Sequence, residues 1–94
     1  MPLLTAAEIT EKLAVLPVWQ LAGNNIERTV TFADFPAAIA FVNRVAEAAE
    51  KANHHPDIDI RWNKVRLALS SHDAGGLTER DFRLAGVIDS LLGP

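Results

Sequence analysis

The chain has 94 residues, 12 acidic against nine basic, a formal net charge of −3 and no cysteine. That length holds one small domain; the acidity argues against a nucleic-acid partner; and the lack of cysteine excludes a disulfide framework and a thiolate metal site. Hydrophobic residues make up 49%, so the chain is globular, yet no apolar run approaches a membrane span and no basic-then-apolar signal opens it. A soluble cytoplasmic protein that gains burial by self-association is the expectation.

Leu4-Thr5-Ala6-Ala7-Glu8-Ile9 reads as a helix start. Thr5 can cap the first turn, Glu8 can reach back to the Thr5 amide, and Leu4 and Ile9 can close a hydrophobic staple. This helix should run to about Leu16, where Pro17 stops it. Val18 to Ala22 and Ile26 to Phe32 read as strands. Ile26, Arg28, Val30 and Phe32 alternate with Glu27, Thr29 and Thr31, the period of a half-buried strand. Gly23-Asn24-Asn25 between them tolerates positive φ and predicts a hairpin.

Asp34 caps a long helix over Phe35 to Ala52, with Pro36 in its first turn. Ile39, Val42, Val45, Ala46 and Ala49 form one apolar stripe, and Ala37, Phe41, Ala48 and Ala52 lie elsewhere on the cylinder. That excess of apolar faces predicts a subunit contact, hence a homodimer or homotetramer. Ile58 to Trp62 and Val65 to Ser71 predict a second hairpin across Asn63-Lys64, with Asn63 opening a type I′ turn. Asp73 to Gly76 is a loop, and a last helix runs from Glu79 to about Leu92 behind a second Thr cap, Thr78. The order is α-β-β-α-β-β-α. It predicts a single α+β domain over residues 1–94: a four-stranded antiparallel sheet, strand order 1-2-4-3, with helices packed on one face.

The residues that carry chemistry gather around Glu50-Lys51-Ala52-Asn53-His54-His55-Pro56. Histidine exchanges protons near neutral pH without special tuning, and two stand together here where a helix ends. The plainest reading of such a pair is a solvated terminus favoured by the helix dipole. Asp81, third residue of a Thr-capped helix, has an equally plain reading as a cap. Zinc is disfavoured, because adjacent histidines at a helix end do not face one ion and no H-x-x-x-H pair exists. Ser70 and Ser71 before His72 do not make a nucleophile pair, since neighbours in a strand point to opposite faces. Gly75-Gly76 is too short for a phosphate loop.

Glu50, then His54-His55-Pro56, Trp62, His72 and Asp81, taken with their spacing, resemble the signature of the pterin-4a-carbinolamine dehydratase family. So do Pro17-Val18-Trp19, the Asp34-Phe35 helix start, Asn63-Lys64-Val65, Ser70-Ser71-His72, Ala74-Gly75-Gly76-Leu77 and Thr78-Glu79-Arg80-Asp81. The resemblance covers essentially the whole chain. It implies removal of water from a 4a-hydroxytetrahydropterin to give the quinonoid dihydropterin, which recycles the cofactor of aromatic amino-acid hydroxylases, with no metal and no organic cofactor of the enzyme's own. It implies that His54 and His72 lie closest to the chemistry and that His55 positions the pterin or assists. Glu50 and Asp81 are candidates to orient imidazoles and to contact substrate; Asn53, Pro56, Ser70, Ser71 and Asp73 are candidates for polar or shape contacts with substrate, and Trp19 and Trp62 for walls, with Trp62 equally a candidate for the core. Asn53 stands where the animal enzymes have Asp, so that position carries no acid. The three histidines are expected around one cleft. The family also includes a dimerisation cofactor of a homeodomain transcription factor and Rubisco assembly factors of the same fold, so a non-catalytic interaction role is the alternative.

Overall fold

A computed structural model describes residues 2–93. The element order is α1 (Ala6–Ala14), β1 (Gln20–Ala22), β2 (Asn25–Thr31), α2 (Phe35–Ala52), β3 (Asp57–Arg61), β4 (Lys64–Leu69) and α3 (Glu79–Ser90). The four strands form one sheet in the order β1-β2-β4-β3, every neighbour antiparallel. The expected order of elements and of strands is therefore the observed one.

Register explains why the helices share one face. Ile26 pairs with Leu69, Arg28 with Leu67 and Val30 with Val65, so these side chains point the same way. Ile26, Val65, Leu67 and Leu69 are fully buried there against Ala38, Phe41, Val45 and Ala49 of α2 and Phe82, Leu84, Ala85 and Ile88 of α3. The opposite face carries Glu27, Thr29, Asp59, Arg61, Lys64 and Arg66, with Arg66 paired to Glu27 at 2.7 Å. The edge strand β3 is less covered: Ile58 and Ile60 sit on the helix side, opposite Leu67 and Val65, yet stay 38% and 36% exposed.

Several boundaries move. The first helix ends at Ala14, with Val15 and Leu16 tightening onto the carbonyls of Lys12 and Leu13. β1 shrinks to three residues because the Trp19 amide bonds back to Leu16 and its ring enters the core. The first hairpin turns on Gly23-Asn24 alone, Gly23 at φ +60, with Asn25 already paired to Ala22. The second turns on Trp62-Asn63, not Asn63-Lys64, because Lys64 pairs with Arg61. Trp62 takes the positive φ of 53, and the Asn63 side-chain Nδ2 donates to the Phe32 carbonyl at 2.9 Å. Trp62 is 68% exposed, not core. α3 stops at Ser90 rather than Leu92.

The buried stripe of α2 is also rotated from the expected one. Ala38, Phe41, Val45 and Ala49 are buried, Ile39 and Val42 are half-buried, and Ala46 is exposed. Phe41, the bulkiest apolar side chain of the helix interior, sets this orientation by packing on Phe32, ring centroids 5.1 Å apart.

Candidate functional site

The end of α2 places two histidines in different surroundings. Asn53 adopts the left-handed conformation, φ 50 and ψ 43. Its amide bonds to the Glu50 carbonyl at 3.2 Å and the His54 amide to the Ala49 carbonyl at 3.1 Å, a Schellman stop. Asn53 thus acts through its backbone, turning the chain sharply. His54 goes inward and is 7% exposed, whereas His55 goes outward. His55 Nε2 meets Glu50 Oε2 at 2.9 Å, both side chains largely in solvent. Pro56, half-buried, leads into β3.

Inside, His54 Nε2 lies 2.5 Å from Asp81 Oδ1, and Asp81 is fully buried. The other carboxylate oxygen of Asp81 accepts from Ser71 Oγ and from the Thr78 amide, each at 2.9 Å. Ser71 Oγ and Thr78 Oγ1 are 2.7 Å apart. A carboxylate only accepts and a hydroxyl has one proton. Ser71 therefore gives its proton to Asp81, and Thr78 gives its proton to Ser71. By the same logic His54 Nε2 donates to Asp81, and Nδ1 is the ring nitrogen outside this contact.

The cluster joins three elements: the turn after α2, the end of β4 and the first turn of α3. Ser71 follows Leu69 by two residues and so points to the helix side, where Asp81 lies. His72 opens the tight turn beyond Ser71 and is exposed; Ser71 and Gly76 close that turn with two backbone bonds, 2.9 and 3.2 Å. Gly75 stands at φ +82 within it, a conformation glycine adopts without penalty. A Cβ on Gly76 would lie 3.2 Å from Leu3. Asp73 reaches back to Arg80 at 2.6 Å, and that guanidinium holds its carboxyl below the usual carboxylate range. Ser70 is buried at the strand end.

Two expected residues are not brought here. The Trp19 ring lies in the core and its indole N–H donates to Asp89 at 2.9 Å, where Arg28 also binds. Asp89 is eight residues past Asp81 on α3, about 12 Å along the axis. Trp62 sits at the tip of the β3–β4 hairpin, five residues beyond the start of β3 and so about 17 Å from the His54 end. Conversely, Thr78 and Arg80 belong to the site's support, although in sequence they read only as a cap and as part of a motif. The signal for Arg80 is a cation seven residues after Asp73 across a Gly-Gly turn. Among the described residues no group of three or more His, Asp or Glu is placed to hold a metal ion.

Residues 2–91 match the sequence profile described as pterin 4 alpha carbinolamine dehydratase. A Chloroflexus aurantiacus protein named "Putative pterin-4-alpha-carbinolamine dehydratase" is 63% identical over 93 residues, 99% of this chain and 100% of its own length. A protein of the same name from Acidobacterium capsulatum is 65% identical over 89 residues, 95% and 97% of the two chains. Among solved structures, a transcriptional coactivator/pterin dehydratase from Brucella melitensis superposes with a TM-score of 0.92. It is 34% identical and covers 97% of this chain and 99% of its own. A second, a pterin dehydratase-like protein described as a Rubisco assembly factor of the alpha-carboxysome, shares the fold at a TM-score of 0.65 and 22% identity, over 80% and 87% of the chains.

Proposed function

The chain belongs to the pterin 4 alpha carbinolamine dehydratase family, and from that membership we propose that it dehydrates 4a-hydroxytetrahydropterin to the quinonoid dihydropterin. In this reaction the C4a–O bond breaks as an acid protonates the departing hydroxyl. The N5 electron pair forms the C4a=N5 bond, a base takes the N5 proton, and water leaves. Two groups that trade protons near neutral pH are needed. In our reading these are His54 and His72, with His55 positioning the ring beside Glu50.

The observation that carries this reading is the buried His54–Asp81 contact at 2.5 Å, one residue away from the exposed His72 through the Ser71–Asp81 bond. A histidine at a plain helix terminus has no need of a fully buried carboxylate held by two further donors. The pair fixes the imidazole and leaves one nitrogen free, the arrangement proton transfer requires. The decisive measurement is stopped-flow dehydration of a 4a-hydroxytetrahydropterin against its uncatalysed background. Clear acceleration supports the reading; a rate equal to background in folded protein rejects it.

The physiological setting follows as part of the same proposal: a cytoplasmic enzyme that returns the pterin of an aromatic amino-acid hydroxylase to use. No helix among the described residues is long and apolar enough to cross a membrane. Self-association as a homodimer or homotetramer is supported by the open edge of β3, where Ile58 and Ile60 remain partly exposed. A non-catalytic interaction role is the second reading, favoured by the similarity to the Brucella protein, whose name pairs coactivator with dehydratase. It predicts no acceleration in the same assay.

A further inference from the structure

The start of α3 is a junction, and each residue from its cap onward holds a different part of the chain. Thr78 Oγ1 meets Ser71 Oγ at 2.7 Å. Glu79 pairs with Lys12 of α1 at 2.6 Å. Arg80 Nη2 donates to Asp73 Oδ1 at 2.6 Å, and Asp81 holds His54. Successive residues of a helix point about 100° apart, so neighbours in sequence reach separate elements.

Two of these contacts lead to histidines of the candidate site. Asp81 fixes the His54 imidazole directly. Arg80 acts one step removed, because its partner Asp73 is the residue after His72. The turn that carries His72 is anchored at its base: the Ser71 amide bonds to the Gly76 carbonyl at 2.9 Å, and the Ala74 and Gly75 amides fold back on the Ser71 carbonyl at 3.0 and 2.9 Å. The tip is held differently. His72 and Asp73 are exposed, and among the described residues no side chain holds the His72 imidazole. Asp73 to Arg80 is the side-chain tie between this tip and the helix.

The arginine is the fixed end of that tie, its side chain 27% exposed against 70% for Asp73. Arg80 Nε is buried without a hydrogen-bond partner, which costs stability. Its placement therefore does not serve the helix alone; what the guanidinium gains is its grip on Asp73.

We infer that Arg80 and Asp73 are positioning residues for His72, and that the adjacent residues Arg80 and Asp81 together set the separation of the two imidazoles that trade protons with the pterin. The inference rests on the dehydratase reading, and within it Asp73 is a strut and not a substrate contact. Proton transfer needs its groups within hydrogen-bond reach, and small misplacements cost rate. A loosened His72 tip thus slows the chemical step while the ring still binds.

The test is stopped-flow dehydration of 4a-hydroxy-6-methyltetrahydropterin by wild type, Asp73→Ala, Arg80→Gln and the double variant. Each single variant should lose about three- to fivefold in kcat, the size an exposed ion pair can supply, with KM nearly unchanged. The double variant should be no slower than either single one, and Asp73→Glu should recover part of the loss. Raising salt to about 1 M should slow wild type toward the variants and leave the variants unchanged, since the pair is partly exposed and this substrate is uncharged. Amide hydrogen exchange supplies a readout apart from turnover: exchange at Ala74 and Gly75 should quicken in both single variants, with the amides of α2 unaffected. Losses that multiply in the double variant overturn the inference, as does a rise in KM with kcat intact, which would make Asp73 a substrate contact. Unchanged kcat in both single variants, beside clear acceleration by wild type, overturns it and leaves the dehydratase reading standing. A folded wild type that gives no acceleration overturns both.

Discussion

Two helices of this chain begin with the same grammar, Leu4-Thr5-x-x-Glu8 and Leu77-Thr78-x-x-Asp81, and they do different things. At α1 the box is reciprocal and in solvent: the Thr5 amide donates to Glu8 at 2.9 Å and the Glu8 amide to Thr5 Oγ1 at 3.1 Å. At α3 the acid again accepts from the Thr amide, but it is fully buried and also holds Ser71 and His54, while the Thr hydroxyl is given to Ser71. One carboxylate caps the start of a helix; the other caps the start of a helix and also holds an imidazole. The difference lies in burial and in partners brought from residues 54 and 71, and not in the local sequence.

The contrast is broken most strongly at Asp81. Asp81→Asn replaces an acceptor by a donor facing donors, so we expect dehydration to slow by about a hundredfold and stability to fall by about 1–3 kcal/mol. His54→Ala should match it in rate, and the double variant should be no slower than either, because the pair acts as a unit. Stopped-flow rates and urea melts of the three proteins decide this. Rates that multiply would separate the two residues.

Ser71→Ala comes next. It removes one donor to Asp81 and leaves the Thr78 hydroxyl without its acceptor, for about 1–2 kcal/mol of stability. If Asp81 acts by orienting His54, Ser71→Ala should lower kcat by a few-fold with KM little changed, and Ser71→Thr should recover part of it. An effect on KM alone would instead mark Ser71 as a substrate contact.

At α1 the same operation should be nearly silent in the assay. Thr5→Ala is expected to cost about 1 kcal/mol of stability with no change in rate. The Glu8 carboxyl is held below its ordinary value of 4.5, chiefly by the Thr5 amide and then by the Thr5 hydroxyl. A lowered folded value stabilises above the unfolded value and is lost as pH falls through the folded one. The small difference in melting temperature between wild type and Glu8→Gln should therefore be present at pH 7 and shrink as pH falls below 4.5. A difference that persists at low pH would mean that Glu8 acts by something other than its charge.

What can be read from the sequence tracks how local each cause is. Helix caps, the alternation of β2 and the Asp34-Phe35-Pro36 start depend on neighbours, and those elements form where expected. The tip of the second hairpin lies one residue earlier than its sequence suggests, because the bulky Trp62 takes a positive φ that such residues rarely adopt. What decides that is the Asn63 bond to Phe32, 31 residues away. The stripe of α2 is turned because Phe41 answers to Phe32 across the fold. The site divides the same way. Asn53 as a helix stop is legible from its residue type, whereas the His54–Asp81 contact joins positions 27 apart, which no periodicity predicts; only the family resemblance points to the pair. Trp19 lies in the core and not at a substrate wall because its partner, Asp89, is 70 residues on.

The two tryptophans have a practical consequence. Trp19 is 3% exposed and clasped to the end of α3, while Trp62 is 68% exposed at a hairpin tip. The protein therefore carries two optical reporters of opposite kind. Added iodide should quench Trp62 and spare Trp19, and a Trp62→Phe variant should leave a single emitter that reports when α3 leaves the sheet. A Trp19→Phe variant leaves the other emitter near the open edge of β3, where the arrival of a second chain would shield it from the quencher. Folding and association can thus be followed separately by intrinsic fluorescence, without any added label.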